Sequence, residues 1–112
     1  KIGVGSASKN AKIVLNKLGI HHLFDTVVDG TMVQHSKPNP EVFMQAARNL
    51  NVPTHSCVVF EDAQAGIEAA KSAGMFAVGV GFDLLRSCDK QINSFKNFDL
   101  DDFINEVQMV QK

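Results

Sequence analysis

Val58-Val59-Phe60-Glu61-Asp62 is an apolar run that ends in two adjacent carboxylates, and Ala63-Gln64-Ala65-Gly66 opens an Ala-rich stretch directly after it. This pattern reads as a buried parallel strand whose carboxyl end presents acids at the lip of a sheet. Adjacent acids there suit a hard divalent cation, since Mg²⁺ is held by one or two protein carboxylates together with phosphate oxygens and water. The alternative is that Glu61 and Asp62 are solvated and open the next helix, where the dipole favours acids. Two further groups are candidates for the same lip. Gly5-Ser6-Ala7 is a turn from a strand into a helix start, offering backbone N–H groups and a hydroxyl to an anion; the competing reading is a simple serine cap. Lys37 precedes Pro38, which keeps it extended ahead of a helix. A lysine is more often a solvated surface charge, but here it stands between a strand lip and a proline-started helix.

The elements that must position these groups alternate in type. A short strand at residues 2–5 leads to a helix over roughly 9–18, capped by Ser8 and stopped by Gly19, with Ile13, Val14, Leu15 and Leu18 on its apolar side. Leu23 and Phe24 are expected to plug the core. Thr26-Val27-Val28-Asp29 forms a second strand, with Gly30 as its turn. Asn39 caps a helix with Pro40 at its first position, running to about Leu50 with Val42, Phe43, Ala46, Ala47 and Leu50 inward. After the strand at 57–60, a helix spans about 63–73, its Ala65, Gly66, Ala69, Ala70 and Ala73 allowing close approach to a sheet. Phe76-Ala77-Val78-Gly79-Val80 is another strand, a short one is expected near Gln91-Ile92, and a last helix covers about 100–110 with Leu100, Phe103, Ile104, Val107 and Val110 inward. Strand–helix alternation predicts an α/β fold, a Rossmann-like parallel sheet with helices on both faces. The carboxyl ends of its strands then share one edge, where ligands bind. A hydroxyl, a fixed cation and an acid pair at that edge match what a phosphoryl group needs.

Composition narrows the classes. The 112 residues suffice for one small domain. A net charge of −1 with 21% charged residues presents no basic surface for nucleic acid. A hydrophobic content of 45% argues against disorder, and no apolar run reaches membrane-spanning length. Cys57 and Cys88 lack metal-ligand spacing; a buried Cys57 thiol and a reducing, cytoplasmic setting are expected. His21, His22, His35 and His55 share no metal spacing either. No signal peptide is visible at Lys1, and the absence of an initiator Met leads us to expect sequence upstream.

Gly5-Ser6-Ala7-Ser8-Lys9-Asn10, Ser36-Lys37-Pro38-Asn39-Pro40-Glu41-Val42-Phe43 and Phe60-Glu61-Asp62-Ala63-Gln64-Ala65-Gly66-Ile67-Glu68-Ala69 resemble, in order and spacing, the second, third and fourth motifs of the haloacid dehalogenase superfamily. The resemblance runs from Ile2 to about Gly81 and is nearest to the β-phosphoglucomutase family within it, Ser-Ala-Ser-Lys-Asn being the most telling string. It implies that Ser6 and Lys37 hold the transferring phosphoryl group and that Glu61 and Asp62 hold Mg²⁺ directly or through water. It also implies a phosphate-binding loop of Ser6, Ala7, Ser8, Lys9 and Asn10, in which Ser8, Lys9 and Asn10 contact a second, non-transferring phosphate. The implied partner is a small phosphorylated sugar or metabolite, and the implied full-length protein is a monomer.

The superfamily's first motif, an Asp-x-Asp after an initial strand, supplies the nucleophile and the acid/base aspartate. The only Asp-x-Asp here is Asp99-Leu100-Asp101, before the last helix and in the wrong context. The chain is therefore expected to be the carboxy-terminal part of a core domain, residues 1–112, lacking the first central strand and the cap domain and needing the upstream segment of its own protein. The missing strand would lie between the strands at 2–5 and 57–60, leaving a gap of roughly 10 Å, twice the usual strand spacing. Val4 and Val59 are then not ladder partners. Competing readings are a phosphatase of the same fold and a non-catalytic binding or regulatory protein without the first motif. A phosphorelay receiver domain fits poorly, because its acids precede its lysine in the chain.

Overall fold

The computed structural model describes residues 1–111, with side chains through Val107. The elements in chain order are β1 (Gly3–Gly5), α1 (Ala11–Lys17), β2 (Thr26–Val28), α2 (Glu41–Leu50), β3 (Val58–Glu61), α3 (Gln64–Ser72), β4 (Phe76–Val80), β5 (Lys90–Ile92) and α4 (Leu100–Gln111). Short 3-10 turns at His21–Leu23 and Thr54–Ser56 lead into β2 and β3.

All ladders are parallel, as the alternation predicts, and they fall into two sheets. One pairs β1 with β2, Val4 opposite Val27; the other runs β3-β4-β5, with Val59 opposite Ala77 and Gly79 opposite Gln91. Val4 and Val59 are not partners, and β1 and β3 each keep one free edge.

One continuous core nevertheless spans both sheets. α2 packs on β1 and β2, α3 packs on β3 and β4, and the two helices touch. Val28, Val42, Phe43 and Ala47 thus join Val59, Ile67, Ala70 and Ala77 in a single buried cluster. The strands alternate, so Phe60, Phe76 and Val78 face the other way and meet Phe103 and Val107 of α4. Phe60 lies 5.3–5.8 Å from the rings of Phe95, Phe98 and Phe103 in tilted and edge-to-face arrangements, within the centroid range aromatic pairs prefer.

Several expectations need correction. α1 begins at Ala11, not near residue 9, and Ser8 does not cap it: its Oγ accepts the Asn10 N–H instead, closing a local turn. Ile13, Val14 and Leu18 are exposed, only Ala11 of α1 is buried, and Leu23 is exposed rather than a plug. On α4, Leu100 and Ile104 are exposed while Phe103 and Val107 are buried; the Val110 side chain lies outside the described residues. Cys57 is only half-buried, though burial pushes its thiol pKa up. Periodicity marks which side chains share a helix face but does not say whether a neighbour covers it.

Candidate active site

β1, β2 and β3 end on the same edge, and each delivers part of the site. At the end of β1, Gly5 leads into a loop that crosses toward β2: Ser6 N–H donates to the Val28 carbonyl (2.9 Å) and Gly30 N–H donates to the Ser8 carbonyl (3.0 Å). Within the loop, Ser6 Oγ accepts from Ser8 N–H and Ser8 Oγ accepts from Asn10 N–H, each at 3.1 Å. Both hydroxyls spend acceptor capacity on the loop and keep their protons for an outside acceptor. Ala7, Ser8, Lys9 and Asn10 are exposed on this loop.

Gly30 lets the loop come this close. A Cβ at Gly30 would overlap the Ala7 carbonyl oxygen, a backbone atom that cannot swing aside. Next to it, Asp29 is buried and accepts from the Thr31 side chain and backbone N–H. Those bonds, the side-chain one first, hold its carboxyl below the usual range. The glycine was legible from sequence only as a turn. Gly30→Ala is expected to displace the Ser6–Asn10 loop and destabilise the fold by about 1–3 kcal/mol, since a backbone oxygen must move to admit the methyl. Amide hydrogen exchange in the loop beside a thermal unfolding curve checks this; unchanged exchange and midpoint would mean the loop yields freely.

Lys37 is held from both sides. Its Nζ donates to Glu61 Oε2 at 2.8 Å and to the Gly5 carbonyl at 3.2 Å, and it lies 4.8 Å from the centroid of the Phe43 ring. One ammonium group thus bridges the end of β1, beside Ser6, to the end of β3, with an aromatic face beneath it. The Lys37 side chain is 18% exposed and that of Glu61 12%. The approach to Lys37 is braced by Glu41, whose carboxylate accepts from the backbone N–H groups of Gln34 (2.9 Å) and His35 (3.1 Å). These bonds, Gln34 first, lower the Glu41 pKa. Asn39 Oδ1 accepts the Glu41 N–H at 2.9 Å, a turn just ahead of α2, but the N-cap position is Pro40 rather than Asn39, one residue later than the sequence suggests; the Lys37–Pro38 peptide is cis. From sequence, Glu41 and Phe43 read only as residues of the helix-start motif, with no sign of these contacts in their neighbours.

Glu61 and Asp62 divide. Glu61 spends Oε2 on Lys37 and accepts the Asp62 N–H on Oε1 (3.2 Å). Asp62 is exposed and takes no part in the ion pairs among the described residues. No cluster of three or more His, Cys, Asp or Glu able to hold a metal occurs among the described residues. The hard carboxylate donor set nonetheless suits Mg²⁺, which needs only one or two protein carboxylates beside phosphate. Gln64 ties the start of α3 to the loop after β4, its side chain exchanging two bonds with the Arg86 backbone (3.0 and 2.8 Å).

Loop hydroxyls, a braced lysine and strand-end acids thus stand at the carboxyl ends of parallel strands in an α/β protein. The chain belongs to the haloacid dehalogenase-like hydrolase family, whose model matches residues 2–80. It is 51% identical over 81 residues to β-phosphoglucomutase of Bacillus subtilis (strain 168), an alignment covering 72% of this chain and 36% of that protein. It is 48% identical over 79 residues to fructose-1-phosphate phosphatase YqaB of Escherichia coli (strain K12), covering 70% and 42%. The crystal structure of β-phosphoglucomutase from Clostridium difficile superposes with a TM-score of 0.90 at 41% identity, covering 100% of this chain and 51% of that one. The chain spans about half or less of the length of these relatives. No helix among the described residues is long and apolar enough to cross a membrane.

Proposed function

We propose that this chain is the carboxy-terminal part of the core domain of a Mg²⁺-dependent sugar-phosphate phosphotransferase, a β-phosphoglucomutase. Its partner is a small phosphorylated sugar, and it works as a cytoplasmic monomer. The observation that carries the reading is the position of Lys37 Nζ, bonded both to Glu61 and to the carbonyl of Gly5, the residue before Ser6. Lys37 and the Ser6 hydroxyl, with the loop N–H groups, stabilise charge on the equatorial phosphoryl oxygens. The nucleophilic aspartate lies upstream of Lys1; its carboxylate bonds to phosphorus as the ester bond to the sugar oxygen breaks and that oxygen takes a proton, and the phosphoaspartyl enzyme then passes the group to the other sugar hydroxyl, which gives up its proton. Asp62 would hold Mg²⁺, and Glu61 would reach it through water. Bound there, the ion neutralises developing phosphate charge. Ser8, Lys9 and Asn10, exposed on the loop, hold a second phosphate when the bound sugar carries one at each end.

The second reading is a phosphatase, in which water takes the phosphoryl group; the 48% identity to a fructose-1-phosphate phosphatase favours it. One assay separates them. Full-length protein with Mg²⁺ and β-glucose 1-phosphate is expected to produce glucose 6-phosphate faster than inorganic phosphate. Phosphate as the dominant product selects the phosphatase. No reaction with a panel of sugar phosphates selects a non-catalytic protein.

A further inference from the structure

Gly66 is the third residue of α3, buried, in a helix otherwise rich in alanine. Glycine weakens a helix interior relative to alanine, and Gly66 is not among the residues whose positive φ requires it. Close approach of α3 to the sheet is the reading its small residues suggest. The geometry assigns another reason. The three heavy atoms nearest to a Cβ built at Gly66 are Cδ, Cγ and Oε2 of Glu61, all inside 3.0 Å; no β3 or β4 backbone atom comes as near. The Glu61 side chain curls back from the end of β3 and lies in the space the missing side chain leaves.

We infer that Gly66 is a positioning residue for Lys37, acting through Glu61. Oε2, one of the three atoms an alanine methyl would displace, is the oxygen that accepts from Lys37 Nζ at 2.8 Å. With glycine at 66 the carboxylate lies against α3 and faces Lys37, with little exposure on either side chain. With alanine there, Glu61 must leave this position, and Lys37 keeps only the Gly5 carbonyl and the Phe43 ring. The carboxylate that braces the lysine is thus placed by a residue on the following helix, five positions along the chain. The importance of Lys37 to turnover rests on the function proposed above; the link from Gly66 to Glu61 does not.

A double-mutant cycle in the full-length protein tests this, using wild type, Gly66→Ala, Glu61→Ala and Glu61→Ala/Gly66→Ala, each followed by urea unfolding and by steady-state kinetics. Gly66→Ala alone is expected to lower the folded-to-unfolded ratio and kcat by roughly tenfold each, the scale of coupled neighbours. In the Glu61→Ala background the same change is expected to leave kcat within about twofold and stability unchanged or raised, since alanine is the better helix former. An equal loss in both backgrounds, or no loss in either, overturns the inference. Should Gly66→Ala fail to fold, recovery of folding in the double variant supports it and continued failure overturns it. If wild type shows no phosphoryl transfer, the functional proposal falls while the unfolding cycle still decides the role of Gly66.

Discussion

Lys37→Ala in the full-length enzyme is expected to lower turnover on the order of 10²–10³-fold, as loss of one preorganised charge-stabilising donor does elsewhere. The expectation rests on how completely the ammonium is placed before any ligand arrives. It has two hydrogen-bond acceptors from different strands and an aromatic face at 4.8 Å, so little reorganisation accompanies the build-up of phosphoryl charge. Lys37→Arg is expected to fail as well, because a planar five-donor fork does not replace a compact point charge in this half-buried position. Removing Lys37 also leaves Glu61 half-buried without its cation, so unfolding should be measured beside kcat to separate the two effects. A turnover loss under about fivefold with a folded variant would reduce Lys37 to a surface charge.

The other large effect concerns residues 1–112 expressed alone. They are expected to show no cooperative thermal transition and no phosphoryl transfer. β1 and β3 end on the same edge and are bridged by Lys37, yet they share no ladder, so each leaves N–H and C=O groups without a sheet partner on one side. A buried backbone group without a partner costs about 1–3 kcal/mol, against a total stability of about 5–15 kcal/mol for a domain. Exposed strand edges also invite pairing between chains. The chain's one Asp-x-Asp lies at the start of α4, where Asp99 Oδ1 accepts the Asp102 N–H, and not at the end of a strand beside Lys37. Circular dichroism against temperature, with a phosphoryl-transfer assay in Mg²⁺, checks both parts. Cooperative unfolding together with turnover would show that neither a strand between β1 and β3 nor an upstream aspartate is needed.

Local chemistry by itself determined the element types and the ends of most elements. Asn39-Pro40 marks the start of α2 to within a residue, and alternation of apolar strands with helical stripes makes the sheets parallel. The loop hydroxyls, the lysine and the acid pair were also legible, because a strand end followed by a helix start places residues at one edge whatever the rest of the chain does. Tertiary structure alone decided how these groups engage. Lys37 and Glu61 are 24 residues apart and Lys37 and Gly5 are 32 apart, contacts that depend on the crossovers rather than on local pattern. The same holds for the exposed stripe of α1, whose spacing reads as inward although no element covers Ile13 or Val14. Gly30 and Gly66 carry the difference most plainly. The sequence shows a glycine in a turn and a glycine in a helix; only the folded chain shows the Ala7 carbonyl against one and the Glu61 carboxylate against the other. A missing Cβ matters through what occupies its place, and that neighbour is brought there by packing.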